Sequence, residues 1–236
     1  MKVCSISDIH GNLIPYPSQF WEGLDECEVL FICGDILPTD IQHTMIESED
    51  WLLTKFKPWA ESLPVKKVYF IAGNHDFWFE RNEVKARIYF QKYAKVAYLK
   101  NEGIEYFSET DGKIYTFAGS PYCHMFGNWA FMRYEDTLQT HFNNLPHDVD
   151  VLFTHDAPYG TSDICLEGWA ADGTHKGCPA LRDAVLEIKP KYHLHGHLHS
   201  TNHEAELLGN TKVFNTSIVN ESYDIAYMPK IIDLCE

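Results

Sequence analysis

The sequence has few basic residues. Against 34 aspartates and glutamates stand only 19 lysines and arginines in 236 residues, which gives a formal net charge of −15. A groove that follows the phosphates of a long nucleic acid needs clustered Lys and Arg, so this balance argues against such a partner. A small phosphate ester remains compatible, provided that metal ions supply positive charge locally.

Paired cysteines and long apolar runs are missing as well. The seven cysteines are odd in number and form no C-x-x-C pair, and Cys4 and Cys33 lie within apolar runs, where a buried free thiol is expected. This usage is typical of a reducing compartment. No apolar run reaches transmembrane length, and a strand predicted from Lys2 leaves no room for a signal peptide. We therefore expect a cytoplasmic protein that does not contact membranes.

No linker, repeat or low-complexity tract divides the chain, so we predict one domain over residues 1–236. What the sequence does contain is a series of short apolar runs, each closed by a glycine or a polar residue, as expected of strands in a covered sheet. These runs are Val3–Ile6, Val29–Cys33, Val68–Ala72, Val149–Phe153 and Tyr192–His195.

Helix-like stretches separate these runs. They are Asp50–Ser62, Glu83–Ala94, Thr137–Leu145 and Pro179–Ile188. Strands that alternate with helices predict an α/β layered fold with largely parallel pairing at its centre. Residues 96–120 and 213–234 contain further strand-like segments, which predict a second sheet packed against the first.

A polar motif follows each of the five runs. The motifs are Asp8-Ile9-His10, Gly34-Asp35, Gly73-Asn74-His75-Asp76, Thr154-His155-Asp156 and Gly196-His197-Leu198-His199. Ligand sites of open α/β sheets form outside the carboxyl ends of the strands, so we expect the five motifs to converge. Carboxylate and amide oxygens mixed with imidazoles suit two neighbouring transition metal ions better than calcium or a thiolate zinc site.

These five motifs, in this order, resemble those of the calcineurin-like metallophosphoesterase superfamily. Segments at 119–131, 155–160 and 215–217 are similar to a narrower branch, the compact metallophosphoesterase-domain-containing proteins, so the resemblance covers nearly the whole chain. It implies a four-layer αββα sandwich with two mixed β-sheets. It also implies two divalent transition metal ions, either Mn²⁺ or Fe, Zn, Co or Ni.

The resemblance further assigns roles to individual residues. One metal would be held by Asp8, His10, Asp35 and His199. Asp35 would bridge to a second metal, held also by Asn74, His155 and His197. A hydroxide between the two ions would attack phosphorus in line, and His75 would stabilise the phosphoryl group and protonate the leaving oxygen.

The second motif departs from that of the serine/threonine phosphatases in this superfamily. Those enzymes carry G-D-x-x-D-R-G, whereas Gly34-Asp35 continues here as residues 36–40 without that acid or the arginine. The arginine would bind the extra oxygens of a monoester dianion, so its absence favours small phosphodiesters such as cyclic nucleotides. His75 also lacks the usual carboxylate that orients it, and Asp76 or Asp40 is the expected substitute.

Three residues are expected to contact the substrate. Asn12 follows the first motif, His124 lies in the segment 121–129, and Trp169 lies in the long glycine-containing loop 158–178. Trp169 would stack on a base or close over it. His193 and His195 lie within the last run and are expected to be buried with hydrogen bonds, His195 as a support for a metal ligand.

Three other functions stay open. A phosphomonoesterase, which includes protein phosphatases, would use the same centre, and kcat/KM on matched mono- and diesters separates the two. A non-catalytic metal-binding scaffold of the same fold is the second, although all eight site positions are present. The third is a nuclease on long DNA, which the acidic charge disfavours.

Overall fold

The computed structural model describes residues 1–168 and 170–235, in which two large β-sheets form the centre. The first sheet contains β1 (Lys2–Ile6), β2 (Cys27–Cys33), β3 (Lys67–Ile71), β4 (Val96–Tyr98) and β13 (Lys230–Asp233), in the order β13-β1-β2-β3-β4. The second contains β5 (Glu102–Phe107), β6 (Ile114–Ser120), β9 (Val151–Thr154), β10 (Tyr192–His195), β11 (Glu206–Leu208) and β12 (Thr211–Asn215), in the order β11-β12-β10-β9-β6-β5. The short strands β7 (Cys123–His124) and β8 (Met132–Arg133) pair separately.

Pairing is parallel at the centre of both sheets and antiparallel at their edges. In the first sheet β1 to β4 run parallel and β13 runs antiparallel to β1. In the second sheet β6, β9, β10 and β12 run parallel, and β5 and β11 run antiparallel. The carboxyl ends of parallel strands lie at one edge, so the motifs that follow them meet there.

The sheets pack face to face because alternate side chains of each strand serve different layers. Phe31 in β2 contacts Phe117 in β6 and Phe153 in β9, with ring centroids 5.0 Å apart in both pairs. Their neighbours Leu30, Ile32 and Leu152 belong instead to the apolar cluster that includes the helices. Strands buried on both faces explain the near-continuous apolar runs of the sequence.

Helices cover the outer faces. They are α1 (Met45–Trp51), a π-helical turn (Leu52–Phe56), α2 (Lys57–Ser62), α3 (Phe77–Arg81), α4 (Glu83–Tyr89), α5 (Glu135–Asn143) and α6 (Pro179–Ile188), with 3₁₀ turns at Gln19–Trp21 and Leu24–Glu26. Phe56 packs on Phe70 of β3 at 5.2 Å between ring centroids, and α6 buries Leu181 and Val185. The predicted α/β fold with two mixed sheets between helices is confirmed.

Three details of the sequence prediction are wrong. The helix expected at Asp50 begins at Met45. The helix expected to reach Ala94 ends at Tyr89, because Phe90 leaves the helical region with φ −124° and ψ 63°. β4 and β13 join the first sheet and not the second, since residues 96–98 pair in parallel with β3 and residues 230–233 pair antiparallel with β1.

Two further expectations concern the state of the cysteines and the presence of membrane-spanning helices. All seven cysteines are free thiols, as predicted, and Cys235 alone is exposed. Among the described residues, no helix combines the length and apolar character that a membrane crossing requires.

Candidate metal centre

The loops after β1, β2, β3, β9 and β10 bring the predicted ligands together around Asp35. The Asp35 Oδ2 atom lies 3.3 Å from His155 Nε2, 3.7 Å from His10 Nε2 and 3.9 Å from His75 Nε2. Asp35 Oδ1 accepts a hydrogen bond from the His75 backbone N–H at 2.8 Å. One buried carboxylate thus faces three imidazoles that come from three different loops.

A second group of ligands forms around Asp8. Its Oδ1 atom lies 3.4 Å from His199 Nε2, and both carboxylate oxygens accept from the His197 backbone N–H at 3.1 Å. Ligand atoms of Asp8, His10 and His199 lie within 4.8 Å of one another, as do those of Asp8, Asp35 and His155. The two groups share Asp8, so their ligand atoms adjoin.

Backbone strain is concentrated at these ligands. Asp8, His10, Asp35 and His197 have φ values of +56°, +40°, +52° and +68°. Residues other than glycine rarely adopt this region, and each such residue costs about 1–3 kcal/mol, so the surrounding structure must enforce it. This backbone conformation directs the four side chains towards the same candidate metal centre.

Close backbone packing brings the loops near each other. A Cβ atom on Gly73 would collide with Asp35, and one on Gly196 would collide with Ser7 and Asp8. Only glycine fits at such close approaches. The glycines of the third and fifth motifs therefore allow their strand ends to approach the two carboxylates.

The donor set fits divalent cations. The Nδ1 and Nε2 atoms of His10 are buried and have no hydrogen-bond partner in the described part of the chain. His155 Nδ1–H donates to the Cys33 carbonyl at 2.8 Å, so its Nε2 lone pair faces Asn74 Oδ1 at 2.8 Å and Asp35 Oδ2. Atoms this close share a positive charge between them, which a proton on Nε2 or a transition metal ion supplies.

Electrostatics keep the Asp35 carboxylate ionised and two of the imidazoles neutral. Burial alone would raise the pKa of Asp35, but His155 and His75 bring it well below its usual range. Burial lowers the pKa values of His10 and His197 to about 4, although nearby carboxylates oppose the shift. Ionised carboxylates and neutral imidazoles are the forms that bind metals. His155 differs, because Asp35 outweighs burial and raises its pKa to about 10, so a metal ion would have to displace a proton from this ring.

Hydrogen bonds from outside the ligand set fix its geometry. His199 Nδ1–H donates to the Asn220 carbonyl at 3.1 Å, and Asn215 Nδ2 donates to the Leu198 carbonyl at 2.7 Å. Such contacts hold the tautomer and orientation of metal-binding histidines. His193 and His195 are buried within β10, and His193 Nε2 bonds to Thr154 Oγ1 at 2.8 Å.

The structure overturns the expectation that Asp76 or Asp40 orients His75. His75 Nδ1 lies 2.6 Å from Gln42 Oε1, so the orienting group is a neutral amide. The buried Asp76 carboxylate instead accepts from the backbone N–H groups of Ile36, Leu37 and Gly73 at 2.8–3.1 Å, and Asp40 is exposed. Asp76 therefore has no catalytic contact here and fixes the loop after β2. Burial and Asp35 raise the pKa of Asp76 to about 7.

A cavity of about 870 Å³ opens over this centre. Besides His75 and four of the predicted ligands, the described residues that line it are His124, Phe126, Trp129, Cys165, Gly168, Ala170, His175, Lys176, Gly177, Leu198, Glu221 and Tyr223. His124 was expected here, whereas Asn12 is not among these lining residues. Trp169 lies outside the described residues.

His124 is held by a buried carboxylate. Asp156 Oδ2 accepts from the His124 backbone N–H at 2.9 Å and bonds to its Nδ1 at 2.7 Å. Asp156 raises the pKa of His124. The Phe126 ring lies 5.7 Å from the ring of His124 and 5.2 Å from that of the proposed ligand His197, so it contacts both.

The loop 158–178 is organised by Asp163 and borders the cavity. The buried Asp163 carboxylate accepts from the Gly160 and Gly177 backbone N–H groups at 2.9 and 3.0 Å and bonds to His175 Nδ1 at 2.7 Å. A loop tied at its neck in this way holds His175 and Lys176 on the cavity wall. This position agrees with a substrate-side loop.

Sequence reasoning missed Gln42, Phe126 and Tyr223. Gln42 lies in an irregular segment without a recognisable motif. Tyr223 reaches the cavity through a turn far along the chain, 24 residues after His199. The aromatic segment 126–131 was visible in the sequence, but nothing in it distinguishes a cavity wall from core.

Known proteins are similar to this chain in sequence or in fold. The profile of the calcineurin-like phosphoesterases matches residues 1–201. UPF0046 protein C25E10.12 of Caenorhabditis elegans is 31% identical over 98% of this chain and 80% of its own length. Metallophosphoesterase domain-containing protein 1 of Homo sapiens is 27% identical over 98% of this chain and 70% of its own length. The crystal structure of TT1561 of Thermus thermophilus has a TM-score of 0.54 at 13% identity, covering 91% of this chain and 88% of that one.

Proposed function

This chain belongs to the calcineurin-like phosphoesterase family, and on that premise we propose that it hydrolyses small phosphodiesters at a dinuclear metal centre in a single domain. Membership of the family supports metal-dependent phosphoester hydrolysis. The observation that carries the proposal is the buried His10, whose two ring nitrogens lack partners in the described chain beside the Asp35 carboxylate. A folded protein leaves an imidazole in that state only at a cost, which metal binding removes.

The ligands divide between two ions. Asp8, His10, Asp35 and His199 would hold one, and Asp35, Asn74, His155 and His197 would hold the other. Mn²⁺ is the proposed occupant, with Fe, Zn, Co and Ni suited to the same donors. Bound ions would neutralise phosphate charge and lower the pKa of a coordinated water.

His75 is the proposed proton donor to the leaving oxygen. His75 Nδ1–H donates a hydrogen bond to Gln42 Oε1, so the Nε2 side of the ring remains free to face the substrate. The ring also packs on Trp129 at 4.6 Å between centroids, which restricts its orientation. A held imidazole beside the centre is the arrangement that general acid catalysis requires.

Preference for diesters is supported by the charge of the cavity wall. Among its described residues Lys176 is the one lysine or arginine, and it is already paired with Asp172 at 2.7 Å. Glu221 adds negative charge to the same wall. A monoester dianion lacks the cation that its extra charge needs, whereas a diester monoanion does not need one.

The remaining proposals concern substrate and location. Aromatic side chains on the wall suit planar groups, so cyclic nucleotides are proposed substrates, with His124 and Trp169 as contacts. Asn12, which does not line the cavity, is no longer proposed as a contact. Seven free cysteines support a reducing compartment, and the cytoplasm is proposed.

The test is hydrolysis of bis-p-nitrophenyl phosphate and p-nitrophenyl phosphate by metal-stripped protein refilled with Mn²⁺. Metal content is measured by mass spectrometry on the same samples. His75→Ala is compared with His147→Ala, an exposed histidine that lies outside every motif. We expect two metals per chain, faster diester turnover, and loss of turnover in His75→Ala alone.

Other results would contradict the proposal. Faster turnover of the monoester would make the protein a phosphomonoesterase. Two bound metals with no turnover of either ester would favour a scaffold. Fewer than two metals would remove the dinuclear centre.

A further inference from the structure

Residues 220–224 form a tight turn that is tied to a proposed metal ligand. The Asn220 side-chain oxygen accepts from the Ser222 and Asp224 backbone N–H groups at 2.9 and 3.1 Å. The Asn220 carbonyl accepts from the Tyr223 backbone N–H at 3.0 Å and from His199 Nδ1–H at 3.1 Å. One residue thus orients His199 and fixes the turn that carries Tyr223.

The turn presents Tyr223 directly over the candidate centre. Its ring centroid lies 4.7 Å from that of His10, 5.5 Å from that of His199 and 6.4 Å from that of His75, each at a near-perpendicular angle. The residue has φ +64°, an unfavourable conformation for a tyrosine. The ring is 41% exposed, so burial alone does not explain why this conformation is kept.

The Tyr223 side chain lines the same cavity as Asp35, His75 and His199. No acceptor in residues 1–168 or 170–235 forms a hydrogen bond with its hydroxyl. The cavity wall therefore contains an O–H donor that has no partner in the described part of the chain, beside the proposed ligands His10 and His199.

We propose that the Tyr223 hydroxyl donates a hydrogen bond to a non-bridging oxygen of the bound phosphodiester, in place of the arginine that the Gly34-Asp35 motif lacks. The inference rests on the proposed function, because it names a contact of that same site. A phenol adds one neutral donor and no charge. Such a donor suits the single negative charge of a diester, whereas a guanidinium suits a dianion.

The experiment compares Tyr223→Phe with Tyr93→Phe, a control tyrosine that is 79% exposed. Phenylalanine keeps the ring and removes only the hydroxyl. Two quantities are measured on Mn²⁺-loaded protein: kcat/KM for bis-p-nitrophenyl phosphate, and the Kd of dimethyl phosphate by calorimetry. Losing one hydrogen bond predicts about a tenfold fall in kcat/KM and about a tenfold rise in Kd for Tyr223→Phe, with no change in the control.

The two measurements separate this inference from the function on which it rests. If wild type hydrolyses neither ester, the proposed function fails, and the Kd values alone decide the role of Tyr223. If Tyr223→Phe matches wild type in both quantities, the contact with phosphate is excluded. Tyr223→Asn provides a second variant should Phe be unstable, because asparagine tolerates positive φ, and it is expected to weaken dimethyl phosphate binding as well.

Discussion

Two histidines on two sides of the cavity are oriented by hydrogen-bond partners of different charge. On the side of β3, His75 bonds through Nδ1 to the neutral amide of Gln42. On the side of β7, His124 bonds through Nδ1 to the buried carboxylate of Asp156. Burial lowers the pKa of His75, whereas Asp156 raises the pKa of His124.

The difference shows that the partner, more than the position, sets what each imidazole can do. An amide fixes a ring without stabilising its charged form, so His75 releases a proton readily when the reaction requires it. A carboxylate stabilises the charged form of the ring, so His124 is less suited to release a proton. The same cavity thus holds one histidine oriented by an amide and one oriented by a carboxylate.

The largest effect should distinguish the two histidines by rate. We expect His75→Gln to lower kcat on bis-p-nitrophenyl phosphate by about 100-fold or more, since general acid catalysis contributes about 10²–10⁴-fold. His124→Gln should lower kcat less than about tenfold. Steady-state kinetics of both variants under one metal loading provide the comparison. Equal losses would mean that both histidines take part in proton transfer.

Asp156→Asn tests the charged side through stability. The buried carboxylate accepts two hydrogen bonds from His124 and one from the Ala157 backbone N–H. Replacing it should lower the free energy of unfolding by about 1.5–3 kcal/mol, the range for hydrogen bonds to charged groups. Chemical denaturation measures this loss. The control Asp172→Asn removes an exposed i,i+4 pair and should lower the free energy of unfolding much less.

Gln42→Glu would give His75 a carboxylate partner, as His124 has in Asp156. A carboxylate at this position should raise the pKa of His75, since it stabilises the imidazolium. Activity that needs protonated His75 falls as pH rises through this pKa, so the basic limb of the kcat profile should move up by about one pH unit. An unmoved limb would show that His75 does not control it, whereas Gln42→Ala should lower kcat without moving the limb.

The convergence of ligands was predictable because each ligand follows a buried strand. Asp8, Asp35 and His155 stand directly after apolar runs, and parallel strands end at one edge whatever the details of their loops. The resemblance then supplied the roles. The short apolar runs therefore predict both the strands of the fold and the positions of the ligands that follow them.

Features outside strand ends were not predictable for physical reasons. Gln42 lies in an irregular segment, where no period marks which side chain turns inwards. Tyr223 depends on a left-handed backbone that tyrosine disfavours, so its residue type gives no hint of its turn. β4 has three residues, too few for periodicity to assign it to a sheet.

The smallest expected effect is the pH dependence of the His124–Asp156 pair. The pKa of His124 is raised above 6.5, so its contribution to stability is full below that value and is lost as pH rises through the raised pKa. The pKa of Asp156 is lowered, so its contribution is lost as pH falls below about 4.

The measured quantity is the free energy of unfolding of wild type minus that of His124→Gln. This difference should be largest near about pH 5 and smaller at about pH 9. The change should be about 1 kcal/mol or less because the ring is partly exposed. Urea denaturation in EDTA at a series of pH values measures this difference without metal release. A difference that stays flat, or grows with pH, would mean that His124 is not held as a cation and would remove the contrast between the two sides of the cavity.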